Sequence, residues 1–425
     1  MNTDKIVALI KAEMKPSMGC TEPVAVGLAV SKTCVYLTKP ATHLKLFISS
    51  NIFKNAYSVK IPNACKPGIP LAATLGFLLS KPENTMEIFA DVNNALVEQA
   101  ETLIANGFTE IEVLEDSRFY IEVIANNEDE TVRTITLDSH ENMVKVIKND
   151  EVIKSQEQQN QAEDKEFDIT SHTIKDLVKI AECIELDKIR FLTEAIDMNY
   201  KAADEGFKGD YGLRIGKTIK QHIDDGLFQL DMMYYVKMVV AAACDCRMGG
   251  GQLSAMTVLG SGNQGFETIL PVAATAKYLH LEEEKTLRAV MMSILITIYI
   301  KYHVGRLSPI CGATLSGAAA SGAIAWLMGG NIDQIEGAIQ NMLGNLSGMI
   351  CDGAKEGCSL KLSNCAGEAV LSAKLSTNNR IIQHTDGIIS SNVEDTIRNV
   401  AALSKIGMSK VDMNIIDIMQ QKQPV

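Results

Sequence analysis

A single tryptophan and an aromatic content of 5% in 425 residues leave little from which to build a core on large rings. Alanine, glycine, methionine and isoleucine take their place, which predicts close-packed helices meeting through small residues. Positive charge is also scarce: 40 Lys and Arg stand against 52 Asp and Glu, for a net charge of −12. With no basic run to neutralise phosphates, a generic nucleic-acid surface is excluded. A secretory leader is not expected either, because MNTDKIVALIKAEMKP carries Asp4, Lys5, Lys11 and Glu13 within its apolar stretch and reads as a short amphipathic helix. The uncharged stretch from Leu307 to Asp333 is long enough to span a bilayer, but Pro309 and its glycines and serines favour buried helices, and the apolar run Ala289 to Ile300 is too short. The expectation is a cytoplasmic protein with no membrane and no nucleic acid among its partners. Ten cysteines in such a chain are expected to be reduced thiols, ligands or catalysts rather than disulfides.

What is present is an ordinary globular composition, 46% hydrophobic and 22% charged, with length enough for two to three domains at about 150 residues each. The chain has two textures. Residues 3 to about 37 read as helical, interrupted by Pro16 and Gly19. From about 41 to 160, short runs such as HLKLFIS (43–49), TEIEVLE (109–115), FYIEVIA (119–125) and VRTITL (132–137) alternate as half-buried strands do. Asp91 to Ala105 reads as a helix stopped at Asn106-Gly107. Residues 149–168 are polar and read as a linker or exposed excursion, and from Ile169 onward nearly everything has a helical period. The predicted fold class is therefore α+β: a mostly α-helical domain from residues 1–37 plus 165–425, with a smaller α+β domain inserted at 40–160.

Cysteines and glycines are the residues placed to carry chemistry. In MGCTEP, Thr21 is the expected N-cap, which sets Cys20 beside a helix N-terminus whose partial positive charge favours thiolate. Cys351 and Cys358 flank CDGAKEGC, a loop hinged by Gly353 and Gly357, and Cys358 opens the following helix. Two thiols so arranged suit a cation or cluster. Cys365, seven residues on, and Cys311, in SPICGATLSG, are rival third ligands. Cys244 and Cys246 are too close in sequence to share a helix face; Cys34, Cys65 and Cys183 read as core or surface thiols. RMGGG (247–251) and GSGNQG (260–265) present backbone N–H groups that form either an anion nest for a small carboxylate or a packing turn. GSGNQG is no dinucleotide fingerprint, since no strand is expected before it. His303 and Arg306 precede Cys311 and could line the same pocket.

Together the segments GCTEP (19–23), SSNIFKNA (49–56), RMGGGQL (247–253), GSGNQG (260–265), GRLSPICGAT (305–314) and GMICDGAKEGCSLK (348–361) resemble the L-cysteine desulfidases and the catalytic alpha part of iron–sulfur L-serine dehydratases, in order through nearly the whole chain. The resemblance implies a 4Fe-4S cluster on Cys311, Cys351 and Cys358, with Cys20 as catalytic base and Cys365 a core thiol. It implies β-elimination from a small L-amino acid without pyridoxal phosphate: L-cysteine to pyruvate, ammonia and sulfide, or L-serine to pyruvate and ammonia. Ser261, Gly262 and Asn263 are the expected carboxylate site, and a homodimer the expected assembly. The alternative is a non-catalytic cluster- or metal-binding redox sensor, disfavoured by retention of Cys20, which a sensor does not need. Two regions depart from the family pattern: IPNACKPGIP after SSNIFKNA, and the strand end at Asp138-Ser139-His140. The terminal QKQPV has no cysteine to cap an open iron.

Overall fold

The structure, a computed structural model, describes residues 3–422 apart from Cys65, residues 116–117 and residues 156–166. The expectations for Cys65 and for the last three residues lie outside the described residues.

Among the described residues the strands are β1 (Pro16–Met18), β2 (His43–Ser49), β3 (Thr109–Leu114), β4 (Tyr120–Asn126), β5 (Thr131–Leu137), β6 (Met143–Lys148), β7 (Glu151–Ser155) and β8 (Ser254–Met256). The N-terminal part contributes helices α1 (Thr3–Glu13), α2 (Thr21–Cys34), α3 (Ser50–Ala56), α4 (Ile69–Leu79) and α5 (Asn94–Ala105). Beyond the sheet come α6 (Ile174–Cys183), α7 (Leu186–Ile189), α8 (Leu192–Lys208), α9 (Ile215–Asp224), α10 (Met232–Met248) and α11 (Gly262–Tyr278). The chain ends in α12 (Glu283–Val304), α13 (Gly312–Leu327), α14 (Ile332–Leu346), α15 (Cys358–Thr377), α16 (Val393–Ala402) and α17 (Val411–Gln420). The fold is α+β and mostly helical.

Six strands form one mixed sheet in the order β3-β2-β4-β5-β6-β7. β2 runs parallel to β3 and antiparallel to β4, and α3, α4 and α5 supply the crossover that a parallel pair requires. Alternation drives it: Leu44, Leu46 and Ile48 of β2 are fully buried and pack with Ile121 and Val123 of β4 against α2 and α4. α5 stops at Asn106, with Gly107 at φ +77° accepting the left-handed turn. β6 and β7 extend the sheet, and β7 enters the region 149–168 expected to be a linker; β7 is exposed along its length and so lacks the alternation that would reveal it.

A second, larger core belongs to the helices. α10 and α11 pack with α13 and α15, and Ala318, Ala319, Ala320 and Ala323 of α13 are fully buried. α12 is long and apolar enough to cross a membrane, and 83% of its apolar window is buried inside the protein. Arg288 on α12 donates to the carbonyls of Ala181, Glu182 and Ile184, satisfying the end of α6.

The first 37 residues divide between the two cores. α1 places Ile6 and Ile10 among the helices, whereas α2, expected there too, buries Val24, Leu28 and Val30 in the sheet-side core. The reason is the close approach of α2 to α4: a Cβ at Gly76 would stand 2.2 Å from the Gly27 carbonyl oxygen. Between α1 and α2, β1 pairs antiparallel with β8, so the chain crosses from one core to the other at Cys20.

Candidate active site

Four helices start at one place. Cys20 is the N-cap of α2, Ser261 of α11 and Cys311 of α13, and Cys358 is the first residue of α15. All four line a single cavity of about 90 Å³, with Cys351, Asn263, Glu22, Asn55, Arg247 and Lys361. That is room for a few water-sized groups. The expected N-cap, Thr21, is instead the first helical residue, and no side chain caps this end. Each N-terminus brings a partial positive charge, which favours anions and thiolates.

Three sulfurs come from one wall. The segments carrying Cys311 and Cys351 are tied by a bridge between Ile310 and Ile350. Cys311 N–H donates to Met349 O at 2.9 Å, and Cys351 N–H to Pro309 O at 2.6 Å. The loop to Cys358 turns at Gly353, φ +91°, where a Cβ would stand 2.4 Å from the Lys54 carbonyl oxygen. Lys60 holds the same loop through Glu356 at 2.8 Å. Burial, then the neighbouring Cys351 and Cys358, push the Cys311 thiol up to about 12; burial raises Cys358 as well. Cations stand nearby: Lys361 donates to Ile350 O at 2.8 Å and pairs with Asp352. Burial brings Lys301 down to about 8 against the pull of Cys351 and Cys311.

Thiols that oppose one another's ionisation are a site that a shared cation would relieve. Among the described residues no three His, Cys, Asp or Glu side chains gather tightly enough for one ion. A cluster distributes its thiolates over separate irons, so wider sulfurs suit it, and an all-sulfur donor set favours iron–sulfur over a hard cation. The donor chemistry of Cys311, Cys351 and Cys358 fits the group.

The opposite wall carries the fourth sulfur. Cys20 is 3% exposed, and its Sγ donates to Glu22 Oε2 at 3.1 Å. Burial first, and then Glu22, raise its pKa well above the ordinary thiol value, opposed by Arg247. A ready thiolate was expected from the helix N-terminus; desolvation and the adjacent carboxylate outweigh that dipole. Thr21 Oγ1 also donates to Glu22 Oε2, and Asn55 Nδ2 to Glu22 Oε1 at 3.0 Å. Asn55 Oδ1 faces Cys351 Sγ at 3.9 Å, so one amide joins the two walls. Sequence reading missed Glu22 as a functional group, taking it only for a first-turn acid, and missed Asn55 and Arg247 altogether. The inclusion of Asn55 in SSNIFKNA and of Arg247 in RMGGGQL was the available signal.

Ser261 Oγ accepts from Gln264 N–H, and Asn263 Oδ1 accepts from Arg247 Nη1 at 2.9 Å. Gly262 lies between them, where a Cβ would stand 2.4 Å from Arg247 Nε. Gly265 serves packing: its Cβ would meet Met256 O at 2.0 Å. A short strand, β8, does precede this turn, contrary to expectation, but it pairs with β1 in a two-stranded ribbon and so builds no dinucleotide unit. The glycines of RMGGG do not line the cavity; a Cβ at Gly251 would meet Cys246 Sγ at 2.4 Å.

His303 and Arg306 also stay outside the cavity. The His303 ring meets Tyr299 edge-on, and Arg306 Nη2 pairs with Glu13 at 2.6 Å. Arg306 lines a neighbouring cavity of about 210 Å³ with Ser139, His140 and Gly260. Cys365 is fully buried in the helical core beside Met349. Cys244 and Cys246 are buried, Cys34 is half-buried and Cys183 exposed.

The family model for the serine dehydratase alpha chain matches residues 85–417; its namesake is a lyase of amino-acid catabolism. A UPF0597 protein of Bacteroides fragilis is 38% identical over 420 residues, 98% of each chain. One of Clostridium botulinum is 38% identical over 419 residues, 98% of this chain and 96% of its own. One of Aeromonas salmonicida is 37% identical over 419 residues, with the same coverage. Cys20, Glu22 and Asn55 precede the family match and fall within the span shared with these relatives.

Proposed function

Because the chain belongs to the serine dehydratase alpha-chain family, we propose that it is an iron–sulfur-dependent, PLP-independent lyase that eliminates the β-substituent of a small L-amino acid. L-Cysteine would give pyruvate, ammonia and sulfide; L-serine would give pyruvate and ammonia. One observation carries the reading: Cys20, Ser261, Asn263, Cys311, Cys351 and Cys358, distant in sequence, line one cavity at four helix N-termini.

Cys311, Cys351 and Cys358 would hold a 4Fe-4S cluster, which would supply Lewis acidity toward the β-leaving group. The remaining work falls to the protein. Ser261, Gly262 and Asn263 orient the substrate carboxylate at the start of α11. Cys20 passes its proton to Glu22 across the 3.1 Å contact and, as thiolate, takes the proton from the substrate Cα. The electron pair of the Cα–H bond becomes the Cα=Cβ bond as the β-thiol or β-hydroxyl departs. The resulting aminoacrylate tautomerises to an imine, and water hydrolyses it to pyruvate and ammonium. Asn55 holds Glu22 in position.

The test is pyruvate and sulfide formation from L-cysteine and L-serine by the anaerobically reconstituted protein. Pyruvate from one substrate is expected. A loaded protein that makes none from either contradicts the reading.

A further inference from the structure

Arg247 is a buried cation that pairs with no carboxylate among the described residues. The residue is 3% exposed, and its guanidinium stays charged at any pH a protein experiences. Among the described residues it has one hydrogen bond, Nη1 to Asn263 Oδ1 at 2.9 Å. Its Nε is buried without a partner. No carboxylate pairs with it among the described residues, although Glu22 lines the same cavity. A buried charge left uncompensated costs several kcal/mol, and here the fold makes room for one: a Cβ at Gly262 would stand 2.4 Å from Nε and 3.0 Å from Nη2. Beside it lies the first turn of α11, where the N–H groups of Gly262 and Asn263 have no intrahelical acceptor.

We propose that Arg247 is the receptor for the α-carboxylate of the substrate, closing the anion site begun by the α11 N-terminus. The inference rests on the reading of this cavity as an amino-acid site. It assigns the charge recognition to a side chain of α10, and the turn at Ser261–Asn263 supplies neutral donors around it. A guanidinium presents two N–H groups in the geometry of a carboxylate, and Arg247 lines the same cavity as Cys20. The substrate is thereby required to have a free α-carboxylate, so amides and decarboxylated amines are excluded.

The experiment uses L-alanine, which has no β-leaving group, and L-alaninamide, which has no carboxylate. Both are titrated by calorimetry into anaerobically reconstituted wild type, Arg247→Gln and Arg247→Lys. Absorption spectra and thermal unfolding of the same samples report cofactor and fold. Wild type is expected to bind L-alanine at least about 10-fold more tightly than the amide, and Arg247→Gln to lose that preference. With L-cysteine or L-serine, KM should rise about 10- to 100-fold, with a smaller change in kcat. If the Gln variant does not fold, Arg247→Lys decides, since it keeps the charge without the paired geometry: weaker L-alanine binding supports the proposal, and unchanged binding overturns it. A folded Arg247→Gln protein that still prefers L-alanine also overturns it, as does a wild type indifferent to the carboxylate. A wild type that discriminates the carboxylate yet turns over neither amino acid would refute the lyase and leave the carboxylate receptor standing.

Discussion

The two walls of the cavity use the same side chain in opposite surroundings. On the helical wall, Cys311, Cys351 and Cys358 stand with Lys301 and Lys361. At the start of α2, Cys20 stands against the Glu22 carboxylate and donates to it. Sulfurs near cations and near one another are set to become anionic together when a cation joins them. A sulfur hydrogen-bonded to a carboxylate is set to move a proton. In the proposed reaction, neighbours rather than helix position would separate ligand from base, since all four helices start at the cavity.

The largest expected effect breaks the ligand wall. Cys358→Ser should abolish both the iron–sulfur absorption and the activity of the reconstituted protein, measured on one sample. Cys20→Ala should keep the absorption band and reduce kcat by about 10²–10⁴-fold; surviving turnover would remove Cys20 from the base role. A mechanical test of the divide comes next. Lys54 and Asp412 form a buried pair at 2.5 Å, with side chains 1% and 9% exposed, directly behind the turn at Gly353. Asp412→Ala leaves Lys54 unpaired and should cost about 3–5 kcal/mol in urea unfolding.

Glu22→Gln sharpens the comparison instead of breaking it. Removing the carboxylate takes away a cause of the raised Cys20 pKa, so the pKa should fall. The thiolate should form at lower pH, and the rising limb of kcat against pH should move the same way. With no acceptor for the Cys20 proton, kcat itself should drop about 10–100-fold. The smallest effect belongs to the scaffold: Gly76→Ala forces α4 away from α2 and should cost about 1–3 kcal/mol, read by urea unfolding with the cluster spectrum unchanged.

Much of this was legible in the chain. HLKLFIS is β2 to the residue, and Asn106-Gly107 ends α5 as its turn chemistry demands. The helix starts beside Cys20 and at Cys358 followed from MGCTEP and GCSLK, because helix-start composition is a local signal. β7 was not legible, since an exposed edge strand carries no buried face. Nor was the sheet-side burial of α2, which depends on a close contact between Gly27 and Gly76 that is distant in sequence. Glu22, Asn55 and Arg247 are ordinary polar residues until folding desolvates them around one cavity, and the thiolate expected at Cys20 failed for the same reason.

The most direct measurement is iron content and absorption of Cys20→Ala and Cys351→Ser after identical anaerobic reconstitution. The division of the cavity predicts full iron and an intact band for Cys20→Ala, and loss of both for Cys351→Ser. Equal loading of the two variants, or loss of the cluster with Cys20, would contradict it.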